Sequence, residues 1–143
     1  MKKLNFAIFG ALLAISLATQ ALAETTIPWT KEGCESVKGK WITAKNGTNF
    51  CKSSQYMTWF NALIWCKSIG RNLVDFYHLC PGVPAENNTH YGTCTNVYQL
   101  GYNQLAWTNM PYGTDKVFIT HLTNADVSAV SRVRTGDTYA VCE

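Results

Sequence analysis

Met57-Thr58-Trp59-Phe60-Asn61-Ala62-Leu63-Ile64-Trp65-Cys66-Lys67-Ser68-Ile69-Gly70 is the stretch that decides how this chain folds. Trp59, Ala62, Leu63, Cys66 and Ile69 recur at three- and four-residue steps, which makes one apolar face of a helix. Thr58 supplies an N-cap hydroxyl, and Gly70 supplies a C′ residue that takes left-handed geometry without strain. Cys66 therefore points into the core, where a structural disulfide belongs. Phe60, Ile64 and Trp65 broaden the stripe, so the helix is expected to be covered on more than one side.

Working outward, Asp75 caps a short second helix that stops before Pro81-Gly82. The stretch from Pro81 to Thr95, rich in Pro, Gly, Asn and Thr, reads as loop. On the N-terminal side, Gly39–Ala44 and Thr48–Cys51 flank Asn46-Gly47, which favours a two-residue turn and predicts a β-hairpin. Residues 24–33 read as a polar lead-in. From Leu105 the period changes to two. Leu105–Thr108, Lys116–Leu122, Val127–Val130 and Thr138–Val141 are strand candidates, with turn material at Met110–Gly113, Thr123–Asp126 and Thr135–Asp137. Hairpin, two helices, long loop and antiparallel sheet define an α+β domain.

The ends set the compartment. Lys2 and Lys3 precede an apolar run from Phe6 to Leu17, and Ala21-Leu22-Ala23 supplies small-x-small, so cleavage before Glu24 is expected. The apolar run is shorter than the ~20 residues of a spanning helix, so no transmembrane anchor is expected after cleavage. Losing 23 of 143 residues leaves one domain of 120, spanning 24–143, in the periplasm, at the bacterial cell surface or secreted. Two of the 12 basic residues leave with the leader, so 10 face 9 acidic ones. That balance, with no Lys/Arg cluster, gives no footprint for nucleic acid.

Six cysteines follow the leader: Cys34, Cys51, Cys66, Cys80, Cys94 and Cys142. An even number in a small exported domain reads as three disulfides, and spacing alone allows 15 connectivities. No two lie closer than 14 positions, which excludes the close pairs of a zinc knuckle.

Trp59-Phe60-Asn61-Ala62, Trp65-Cys66 through Gly70, Asn72-Leu73-Val74 and the closing Tyr139-Ala140-Val141-Cys142-Glu143 resemble the first helix and last strand of C-type lectin-like domains. The similarity is closest to short bacterial exported members, which also carry a Cys-Pro-Gly like Cys80-Pro81-Gly82 and a Trp-Thr strand like Trp107-Thr108. The resemblance implies Cys66 joined to Cys142 and an N-terminal hairpin stapled by Cys34 and Cys51. Cys80 is then left with Cys94, which is not the family's usual second bridge. Calcium-dependent sugar binding in the family needs Glu-Pro-Asn or Gln-Pro-Asp plus Trp-Asn-Asp. Pro84-Ala85-Glu86 and Trp107-Thr108-Asn109 are only echoes of these, so no metal and no cofactor is expected.

His78, His90 and His121 are scattered, and no hydrolase, zinc or phosphate-loop motif occurs, so no enzymatic activity is expected. The remaining signal is aromatic. Tyr91, Tyr98, Tyr102, Trp107 and Tyr112 are interleaved with Asn96, Asn103, Gln104 and Asn109. Tyr98, Tyr102, Trp107, Asn109 and Tyr112 are the candidate ligand contacts, because rings stack on apolar faces while amides bond hydroxyls. The expected function is recognition of a glycan or protein without calcium. The alternatives are a structural or accessory subunit of a pilus or adhesin, or a protein displaying a hypervariable ligand-binding face. Neither the ligand nor the oligomeric state is written in the sequence.

Overall fold

The structure, a computed structural model, describes residues 26–83, 94–101, 104–124, 126–134 and 136–143. The expected leader at 1–23, together with His90, Tyr91, Tyr102 and Asn103, lies outside the described residues.

The fold is α+β. Helix α1 (Lys31–Ser36) leads into strands β1 (Gly39–Thr43) and β2 (Asn49–Tyr56), then helices α2 (Trp59–Ser68) and α3 (Phe76–Leu79). A 3-10 turn at Thr95–Val97 precedes β3 (Leu105–Tyr112), β4 (Lys116–His121), β5 (Val127–Ser131) and β6 (Thr138–Cys142). The strands form one sheet in the order β1-β2-β6-β3-β4-β5.

Helix α2 starts where its cap predicts: the Thr58 hydroxyl accepts from the Asn61 amide. It stops because Gly70 takes φ +72°, and its N–H then reaches the Lys67 carbonyl while Arg71 N–H reaches that of Cys66. Asp75 caps α3 through the Tyr77 amide at 2.8 Å. The short α1, capped by Thr30 over Gly33 N–H at 3.1 Å, begins inside the polar lead-in expected at 24–33 and makes three α-helices among the described residues where two were predicted. Six residues are too few for a helical period to show in sequence.

Three further expectations are corrected. The hairpin loop has three residues, Lys45–Gly47, because Ala44 N–H bonds the Thr48 carbonyl; only Gly47 takes positive φ, at +87°. Strand β3 runs through Met110-Pro111-Tyr112, expected as turn. A bulge between Trp107 and Pro111 accommodates the proline, and β6 pairs β3 only at Leu105 and Ala106. That β3–β6 pairing is parallel, so the sheet is mixed and not purely antiparallel. Beyond Ala106 the two strands separate and Leu73-Val74 fills the gap: Val74 N–H bonds Val141 O, and Val74 O accepts from Asn109 N–H.

Alternation along the strands divides the core in two. Val117, Ile119, Ala140 and Cys142 face α2 with Ala62, Cys66 and Trp107. Phe118, Leu122 and Val141 face the opposite layer with Phe50, Phe76, Leu79 and Val97. Each half is stapled. Cys34–Cys51 ties α1 to β2, Cys66–Cys142 ties α2 to β6, and Cys80–Cys94 joins the residue after α3 to the one before the 3-10 turn. No helix among the described residues is long and apolar enough to cross a membrane.

Candidate functional site

The proposed aromatic contacts are not brought together. Trp107 is wholly buried, with its indole N–H donated to Met57 O at 2.7 Å, so it is core and offers no ring face to a ligand. Tyr112 is half-buried edge-on against Phe118, and the side chain of Asn109 is exposed. Both sit toward the Lys116 end of β3. Tyr98 lies beyond the other end, beside Thr123, with the Lys45 ammonium 4.7 Å from its ring centroid. The seven steps of β3 from Leu105 to Tyr112 put Tyr112 roughly 20 Å from that end. Tyr98 does line a shallow depression of about 500 Å³ with Lys40, Gln99 and Thr123.

A larger concavity opens on the other side of the sheet, between the end of β2 and α2. The β2–β6 register shifts between Lys52 and Tyr56. At the shift the Ser53 hydroxyl accepts from Ala140 N–H at 3.0 Å and donates to Gln55 O at 2.6 Å, in place of ladder partners. Bulges of this kind re-aim side chains; Gln55 and Tyr56 border the space before the helix, while Tyr56, opposite Tyr139 in the ladder, holds its ring edge-on to that ring at 6.1 Å. Met57 N–H bonds Thr138 O and Trp59 N–H bonds Arg132 O, which fixes where α2 begins.

Helix α2 supplies the facing wall with Asn61, Ile64, Trp65 and Ser68. With Gln55, Tyr56, Met57 and Thr58 they enclose an open groove of about 600 Å³. A second hollow continues from it past Trp65 to Lys38 and Ser54, whose hydroxyl donates to Lys38 O. Amides, hydroxyls and the Trp65 side chain share one surface, with Tyr56 at its rim. Phe60 and Ile64, expected to be covered, are 49% and 66% exposed, because α2 packs on the sheet by one face only.

Lys52 lies near this region on the other face of β2. It is only 3% exposed, its Nζ donates to Ser53 O at 3.1 Å, and it sits 3.7 Å from the Tyr139 ring centroid. Burial first, and the Lys40 ammonium second, lower its amine from 10.5 to about 8. Its placement follows from β2 alternation, Phe50 and Lys52 facing one way and Cys51 and Ser53 the other. Among the histidines, His78 bonds Glu143 through Nδ1 at 2.9 Å, and that bond raises its pKa above the usual 6.5.

Geometry thus defines a disulfide-stapled α+β domain with a groove of mixed aromatic and amide character. No family model, no curated protein and no solved structure matches the chain.

Proposed function

We propose that the chain is an exported, calcium-independent recognition module of the C-type lectin-like class, and that its contact face is the groove between β2 and α2. One observation carries the reading. The Trp65 side chain stands beside the Gln55 and Asn61 amides in a single concave surface, with Tyr56 at its rim. A ring face accepts the apolar side of a sugar while amides bond its hydroxyls, and binding sites combine apolar lining with a few polar groups in this way. The lectin-like assignment is supported by Cys66–Cys142 and Cys34–Cys51, the pairs the resemblance implies. The Cys80–Cys94 bridge departs from the family's usual second bridge. Three bridges also fit an oxidising compartment. The proposed role is binding, without catalysis.

The test is a glycan array probed in the presence of a chelator. Retained binding by the wild type, with a loss of about tenfold or more for Trp65→Ala, supports the reading. Binding that disappears with chelation, or that Trp65→Ala leaves intact, counts against it.

A second reading, an accessory subunit of a surface assembly, rests on Phe60 and Ile64. Adjacent exposed apolar side chains on one helix face are the kind of surface that packs against protein.

A further inference from the structure

The sheet has two edges of very different character. At one, β1 carries Lys40, packs against α1 and holds Trp41 edge-on to Trp29 at 5.0 Å. At the other, β5 is Val127-Ser128-Ala129-Val130-Ser131, with no charge and no proline, and among the described residues β4 is its only strand neighbour. Lysines, prolines and covering elements are how edges are kept from pairing. The edge at β5 has none of them among the described residues.

We propose that β5 pairs antiparallel with β5 of a second copy of this chain, about a two-fold axis at Ala129. The residues flanking the strand select this arrangement. Centring on Ala129 sets Val127 opposite Ser131, Ser128 opposite Val130, and Asp126 opposite Arg132 of the second copy. The two-fold makes the Asp126–Arg132 pairing twice. Opposite charges directly across a ladder are favourable, and like charges there are not. A two-fold contact also closes, whereas a head-to-tail contact continues into a filament unless its rotation closes a ring.

Both charges flank the open edge strand. Asp126 is exposed and is held by Asn124 Nδ2 at 2.7 Å. Arg132 donates Nε to Lys116 O and Nη2 to Gly113 O, and its guanidinium lies 5.0 Å from the Trp59 ring centroid. Those partners lie on the β4 and α2 side of β5, so the Arg132 side chain turns outward to meet the carboxylate, for which its five N–H donors suffice. Asp126, Ser128, Val130 and Arg132 share parity, so the two charges lie on the same face of the joined sheet. Val133, beside this charge pair, is 68% exposed, the most exposed large apolar side chain among the described residues. No residue of β5 lines the groove, and the pairing stands whether or not the groove binds a glycan.

The test is sedimentation of the disulfide-intact protein over a dilution series, together with oxidative cross-linking. Wild type is expected at the mass of two chains. Asp126→Arg, at an exposed position, should keep the fold and weaken association about tenfold or more. Ala129→Cys should form a covalent dimer, because directly opposed residues lie 4.5–5.5 Å apart at Cα, within disulfide range. Ser131→Cys, opposed to Val127, should not. A wild-type monomer throughout the series, or equal cross-linking of the two cysteine variants, would overturn the proposal.

Discussion

Cys66 on the inner face of α2 is bonded to Cys142 in β6, and both residues are wholly buried. The bond fastens the helix that forms one wall of the groove to the middle of the sheet. Its partners are 76 positions apart, against 14 for Cys80 and Cys94. In the chain-entropy model such closures contribute about 4–5 and about 3 kcal/mol respectively. The double variant Cys66→Ala/Cys142→Ala is therefore expected to lose more stability than Cys80→Ala/Cys94→Ala. Urea unfolding of the two measures the difference, and equal midpoints would contradict it.

Gly39 is held to glycine by the first bridge. A Cβ there would lie 2.5 Å from Cys51 Sγ and 2.6 Å from Cys34 Sγ. Neither sulfur has room to withdraw, since both cysteines are buried and bonded. Gly39→Ala is expected to cost about 1–3 kcal/mol by overpacking, read as a lowered melting temperature.

Lys52 makes stability depend on pH in the alkaline range. Its folded pKa, about 8, lies below the ordinary 10.5, so the unfolded chain binds more protons between those values. Stability from this group is complete above 10.5 and is lost as pH falls through about 8. The charged amine is thus a penalty at neutral pH, partly offset by the Tyr139 ring and the Ser53 carbonyl. Lys52→Met is expected to raise stability at pH 7 by about 1–2 kcal/mol and to flatten the alkaline rise. Denaturant titrations at pH 7 and pH 10 check both.

His78 acts in the opposite direction and on a smaller scale. Its pKa is raised by the hydrogen bond to Glu143, so its contribution is complete below 6.5 and is lost as pH climbs through the raised value. The pair is largely solvated on the histidine side. His78→Ala should lower the melting temperature by about 1–3 °C at pH 5.5 and by less at pH 8.

Much of the scaffold is legible in the sequence because its signals are local. Thr58 and Gly70 bracket α2, Asp75 marks α3, and period-two runs give the cores of β3 to β6. What escapes is non-local. Nothing in Leu105-Ala106 or Thr138-Tyr139 announces that they pair in parallel, or that Leu73-Val74 enters the gap where β3 and β6 part. The groove escapes for the same reason, since it joins the end of β2, past the register shift after Lys52, to residues of α2 that are distant in sequence. The bulge's signal was present in Ser53-Ser54, whose hydroxyls replace backbone partners, but a serine pair also reads as an ordinary exposed strand. The sequence-based contacts failed to assemble because Tyr98 and Tyr112 lie toward opposite ends of β3, and Trp107 between them is core.

The most direct test of the binding face is amide chemical-shift mapping with a glycan selected by the array, added in chelator. Shifts confined to Gln55–Ser68, and absent in Trp65→Ala, are the predicted result. Shifts centred instead on Tyr98, Gln99, Lys40 and Thr123 would contradict the assignment and move the contact face to the opposite side of the sheet.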